Sequence, residues 1–358
     1  MQKTKRMRAA LFTLLLLPGI FSAGFAAASP RSDILAQQSR AEAMAIILEA
    51  SARNPGAFDN ATLASYQNTL GLFNDALLVR LAPGVQLAYF NACASLFANV
   101  ARQPEMANKL SALLSSACGT AADYPLLIRH GQAGRMYAVT SLLEAVARQP
   151  EASDTLSELA HLYLAPLDSL GLLTSEAKEA RMVALIALFE NMARQPEAAD
   201  KLLDITRTYL GVADTANSGS PAVRAIRIDT ISDLCYSIAR APDTATDLIA
   251  AALEFCGPAR PVDQYLWTVN PVYRQAVGRL LSCVARNPDA AADITGAFDE
   301  LTGGPFAYAF KSAAGQADAY KIFGMMVYAI ALNPDAKTQL EMLFTTYTGL
   351  DILPAAGA

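Results

Sequence analysis

The sequence predicts an all-α protein, an α-solenoid of about seven 46-residue helical repeats, and three observations point there. Six prolines, Pro104, Pro150, Pro196, Pro242, Pro288 and Pro334, are each 46 residues from the next, and Pro55 precedes them by 49. Around each proline the tetrapeptide Ala-Arg-Gln-Pro or a close variant recurs. Upstream of each, apolar residues fall at spacings of three and four. A fixed period of 20–50 residues is the mark of a repeat array, in which each repeat packs mainly on its neighbours and length adds units instead of domains.

The first segment is set apart from the array. Lys3, Lys5, Arg6 and Arg8 precede an apolar run from Ala9 to Ala28, interrupted by Pro18, Gly19 and Gly24 and ending in Ala26-Ala27-Ala28. A basic flank, an apolar stretch and a small-residue exit make residues 1–28 a signal peptide cleaved after Ala28. An uncleaved membrane anchor is the alternative. No later stretch approaches the ~20 apolar residues that a membrane helix needs, so no membrane span is expected after cleavage. The mature chain is therefore expected to be exported, periplasmic or secreted, with the solenoid at 29–348 and a C-terminal tail at 349–358. Loss of the four basic leader residues takes the net charge from −5 to −9, which argues against a nucleic-acid partner.

Within a repeat, with the proline at position zero, the long helix comes first. Positions −11, −8, −7 and −4 read Cys93, Leu96, Phe97, Val100, then Val139, Leu142, Leu143, Val146, then Leu185, Leu188, Phe189, Met192. Ile231, Leu234, Cys235, Ile238 and Phe323, Met326, Val327, Ile330 continue the pattern. That spacing draws one apolar stripe on a helix of 3.6-residue period. Position −3 is alanine throughout (Ala52, Ala101, Ala147, Ala193, Ala239, Ala285, Ala331), which predicts a helix crossing too close for a larger side chain.

The turn follows. Proline is costly inside a helix but suits the first helical position, and it pushes the preceding residue out of the helical region. One helix should end at −2 or −1 and the next begin at the proline. Glu105, Glu151, Glu197, Asp243, Asp289 and Asp335 then place a carboxylate at a helix start, and Arg53, Arg102, Arg148, Arg194, Arg240 and Arg286 place a cation at the preceding helix end. The dipole accounts for both columns; an arginine ladder that grips anions is the functional alternative.

The second helix carries apolar residues at +6 and +9, as in Leu110 and Leu113 or Leu156 and Leu159, and closes at Gly119, Gly211, Gly257 or Gly303. About 15 variable residues then connect to the next long helix. These connectors hold Tyr124, Leu127 and His130, then Tyr265, Leu266 and Trp267, then Phe306, Tyr308 and Phe310. Either they form an exposed aromatic edge, with anchors suited to a protein partner, or each folds a short extra helix into the core.

The segment Ala187-Leu188-Phe189-Glu190-Asn191-Met192-Ala193-Arg194-Gln195-Pro196-Glu197 resembles the junction between armadillo repeats, and Leu96-Phe97-Ala98-Asn99-Val100-Ala101 does so in the same way. The resemblance covers about 12 residues per repeat and implies an armadillo/HEAT-like, right-handed superhelix. In peptide-binding members of that family the asparagine holds an extended peptide by its backbone, which would give Asn99 and Asn191 that role. The column departs elsewhere, reading Ala145, Ser237, Cys283 and Ala329, and the family's companion tryptophan is absent.

No chemistry-bearing motif stands out. His130 and His161 lie 31 residues apart without a metal-ligand spacing, so neither a metal site nor a cofactor is expected. Nucleotide-binding glycine loops and nucleophile elbows are lacking. Of five cysteines, Cys93 and Cys118 stand at −11 and +14 about one proline, where antiparallel helices would bring them together as a disulfide in an oxidising compartment; two buried thiols are the alternative. Cys235 and Cys283 form a second, weaker pair. The expected function is an exported scaffold that binds a protein or peptide partner through a concave face or connector edge. A secreted all-helical enzyme acting on cell-envelope material and a structural spacer are the other classes.

Overall fold

The computed structural model describes residues 30–124, 129–167, 173–213, 221–259 and 271–351. Among these residues every regular element is helical. Residues 1–29 with the expected cleavage position Ala28, the connector holding Tyr265 and Trp267, and residues 352–358 lie outside them.

The long helices are α1 (Pro30–Arg53), α4 (Pro83–Val100), α6 (Arg129–Arg148), α8 (Ser175–Arg194), α10 (Pro221–Arg240), α12 (Pro271–Arg286) and α14 (Ala313–Leu332). Each is followed, across its proline, by a short helix: α2 (Asn60–Leu70), α5 (Ala107–Cys118), α7 (Ser153–Tyr163), α9 (Ala199–Leu210), α11 (Ala245–Cys256), α13 (Ala291–Thr302) and α15 (Lys337–Thr348). A single-turn helix, α3 (Leu77–Arg80), precedes α4. Long helices stack in chain order, α1 on α4, α4 on α6, and so on to α12 on α14. Short helices bridge the stack: α5 packs back on α1, α7 on α4, α9 on α6, α11 on α8, α13 on α10 and α15 on α12.

The apolar columns read from the sequence are the core. Leu96, Phe97, Leu142, Leu143, Leu188, Phe189, Leu234 and Leu280 are all buried. The alanine column marks a close crossing: the Asn287 and Asn333 side-chain amides of the next unit donate to the Ala239 and Ala285 carbonyls, at 3.3 and 2.9 Å. A larger residue there would hold the two helix ends apart.

The proline turn differs from expectation in one respect. The long helix ends at −2 in every unit but that of α4, which ends at Val100, and the second α-helix does not begin at the proline. Residues 0 to +2 form one 3-10 turn, and the α-helix starts at +3, or at +5 in the first unit. The cause is the residue before proline, held at φ between −142° and −136° and ψ between 73° and 87°. That swing leaves the chain room for a tight i→i+3 turn before it relaxes into the wider helix.

Short helices end where glycine was expected: Gly119, Gly211, Gly257 and Gly303 all have positive φ. After α7 the same column holds Ala165, at φ 52°, the non-glycine residue with positive φ among those described. A Cβ in the left-handed region costs about 1 kcal/mol, partly offset by the extra freedom of glycine in the unfolded chain. Ala165→Gly should therefore stabilise the protein by about 0.5 kcal/mol, read as a higher urea midpoint; a lower midpoint would refute the strain.

One column escaped the sequence reading and organises the stack. Position −15 carries Arg40, Arg135, Arg181 and Arg227. Arg135 Nε donates to the Leu164 carbonyl at 2.8 Å, and its Nη2 to the Ala165 carbonyl at 2.6 Å. Arg181 does the same with Leu210 and Gly211, and Arg227 with Cys256 and Gly257. Each guanidinium thus caps the open carbonyls at the end of its own unit's short helix.

Candidate functional site

The short helices cover one side of each long helix, so the columns at −13, −9, −6 and −2 define the other. Along this face the chemistry changes from unit to unit. Tyr137 and Val183, both at −13, are 51 and 40% exposed, and Leu87, one turn earlier in its own unit at −17, is 40% exposed. The Leu87 Cδ1 sits 3.3 Å from where a Cβ on Gly134 would be, so the missing side chain lets the Leu87 chain lie against α6.

Further along, the same columns become ionic. Arg279 Nη1 pairs with Asp229 Oδ1 at 3.1 Å. Asp233 lies beside them, with Glu190 of the preceding unit close enough to be felt. Burial pushes the Asp233 carboxyl up to about 6; the Arg279 cation opposes the shift, and the Glu190 and Asp229 charges add to it. A folded-state value above the unfolded one means that the folded chain binds the extra proton. The stability so linked is fully present below about 3.8 and is lost as pH rises through about 6. Asp233→Asn should thus be stabilising by about 2 kcal/mol at pH 8 and near neutral at pH 4. Equal effects at both values, in denaturant titrations, would refute the shifted carboxyl.

The arginines at −2 line one edge, exposed at Arg102, Arg148, Arg194, Arg240 and Arg286. Several fold back on their own face. Arg53 pairs with Glu49 at 2.5 Å, and Arg286 lies over the Tyr236 ring, 4.8 Å from its centroid. Arg102 and Arg194 donate to the side-chain oxygens of Asn99 and Asn191.

Those two asparagines are not displayed as a peptide-holding ladder would be. Asn99 is 2% and Asn191 1% exposed. The Asn99 amide also donates to Ser95 Oγ at 3.1 Å, so the side chain is spent on a helix-end network. The Asn191 Nδ2 is buried with no partner among the described residues. Alanine, serine or cysteine in the other units removes the ladder's remaining rungs.

The connector aromatics divide. Tyr308 is exposed, with the Lys311 ammonium 5.1 Å from its ring centroid. Phe306 is half-buried against Tyr273, whose hydroxyl accepts its backbone N–H at 3.2 Å. Of the two readings open for Phe310, an exposed edge or the core, the structure shows the second: a 3-10 turn over Ala307–Phe310 rolls it inward, so it is no candidate partner contact. Tyr124 likewise points inward, 4.3 Å from the Tyr89 ring, and donates its hydroxyl proton to the Cys118 carbonyl.

Cys93 and Cys118 are both fully buried free thiols. Burial pushes the Cys118 thiol up to about 12 and raises the Cys93 thiol well above its ordinary value. Neither is a reactive thiolate at neutral pH. Cys235 and Cys283 are buried thiols as well. Among the described residues no three His, Cys, Asp or Glu side chains gather to hold a metal ion, and no helix is long and apolar enough to cross a membrane. No family model, curated protein or solved structure matches the chain.

Proposed function

We propose that the protein is an exported, right-handed, armadillo- or HEAT-like superhelix of about seven units that binds a protein or peptide partner along its long-helix face. The observation that carries this reading is the divergence of that face. The core and turn columns repeat from unit to unit, whereas the uncovered columns at −13 and −9 run from Tyr137 and Val183 to Asp229, Asp233 and Arg279, with Leu87 exposed one turn before them. An apolar stretch beside an ionic one suits a partner segment with an aromatic or aliphatic anchor followed by charged groups. Tyr308, on the connector edge, would extend the contact.

Affinity purification from an envelope extract, with the chain and with Tyr137→Asp/Val183→Asp as paired baits, tests this. One stoichiometric protein retained by the first and lost by the second supports the reading; identical captures overturn it. A second reading, an enzyme acting on envelope material, rests on the raised Asp233 carboxyl beside Glu190. Turnover of an envelope substrate that Asp233→Asn abolishes would favour it.

A further inference from the structure

The last long helix, α14, departs from the others on the side away from α12. Phe323 and Val327 occupy the −11 and −7 columns, buried in the interior units, yet they are 37 and 48% exposed. Leu332 stands at −2, where the preceding units carry arginine, and is 70% exposed. Met325 takes the column of Asp233 and Arg279, and Tyr328 that of Glu144 and Glu190. With Tyr320 these side chains fall on roughly half of the helix circumference at ~100° per residue. From Phe323 to Leu332 there is no charged residue. Lys321, at the margin, pairs with Asp318.

In the interior this side of a long helix is where the next one lies. The Met182 carbonyl accepts from Thr230 of the following helix, Ile322 packs 3.3 Å from the Cβ position of Gly278, and the Ala285 carbonyl accepts from Asn333. On α14 the equivalent columns are Tyr320, Gly324 and Ala331. So α14 presents a helix-receiving surface, and its large side chains stand open to solvent. With side chains of about 150–250 Å² each, the exposed fractions leave about 700 Å² of apolar surface, close to the ~800 Å² that each partner gives a standard stable interface.

We propose that a second copy of this chain covers it, α14 lying antiparallel to α14 of the partner about a two-fold axis near Gly324. From Phe323 to Leu332 the patch is free of charge and complements itself, and a two-fold contact uses one such patch twice. It is also a place where two chains of net negative charge meet without opposing carboxylates. The other end of the stack is a poorer match: Leu35 and Ile46 of α1 are exposed, but Glu42 and Glu49 flank Ile46. A head-to-tail stack would set those acids against the apolar patch.

Sedimentation equilibrium of the purified full chain tests the pairing. The expected mass is that of a dimer. Tyr328→Arg/Leu332→Arg, the second of which returns arginine to its column, should weaken association more than ten-fold with unchanged far-UV circular dichroism, and Ile46→Glu should leave it unaltered. Gly324→Cys supplies a second measurement that needs no disruptive change, since a Cβ there meets nothing within 4 Å. Near a two-fold axis it should cross-link to its own copy on mild oxidation. A monomer at all concentrations, oligomers dispersed by Ile46→Glu, or absence of the Gly324→Cys cross-link would overturn the proposal.

Discussion

Replacing Arg181 with methionine is expected to cost the protein about 3 kcal/mol, the largest loss from any single polar side chain of the stack. Arg181 is 3% exposed and pairs with no carboxylate among the described residues. Its guanidinium serves three carbonyls instead, those of Leu210 at 2.7 Å, Gly211 at 2.6 Å and Phe255 at 2.9 Å. The first two close the short helix of its own unit; the third belongs to α11 of the next. One side chain therefore ties a unit internally and to its neighbour. Burial pulls the guanidinium down to about 10, so it remains charged at neutral pH. Methionine fills similar space but leaves three buried acceptors unpaired, each worth about 1 kcal/mol or more. Lysine, a point charge with no planar fork, should recover only part of the loss. Because units couple mainly to neighbours, the damage should be local, splitting urea unfolding into two steps near α8–α11. A single unshifted transition in Arg181→Met would sink this account.

The second large effect is at Gly315. A Cβ built there would sit 2.6 Å from the Ala309 carbonyl oxygen and 2.7 Å from the Phe310 Cα, both backbone atoms. Backbone cannot yield as a side-chain tip can. Gly315→Val should push the 3-10 turn over Ala307–Phe310 away from α14, lifting Phe310 out of the core, at about 3 kcal/mol. Gly296, exposed within α13, is the control: a Cβ there meets nothing within 4 Å, so Gly296→Ala should stabilise by about 0.5–1 kcal/mol. Thermal unfolding of the two variants should move in opposite directions. A Gly315→Val protein as stable as the parent would show that the turn is not pinned.

Much of the fold was legible because its signal is repeated. A stripe such as Leu188, Phe189 and Met192 is weak evidence alone, but recurrence at a fixed interval averages out the accidents of any one unit. The glycine ends of the short helices were readable for the same reason. The −15 arginines were not, since Tyr89, Tyr273 and Ala319 interrupt the column. The direction of Phe310 stayed open because a connector has no period to read, and it depends on one tight turn.

The sequence by itself determined the all-helical stack, the position of each turn and the inward columns, because 3.6-residue periodicity, proline and glycine act within a few residues of where they stand. Only the tertiary structure decided which columns are covered. Val327 and Leu281 are the same letter class in the same column, yet one is 48% and the other 2% exposed. The difference is a neighbouring helix: burial belongs to a pair of surfaces, and a chain's local pattern specifies one of them.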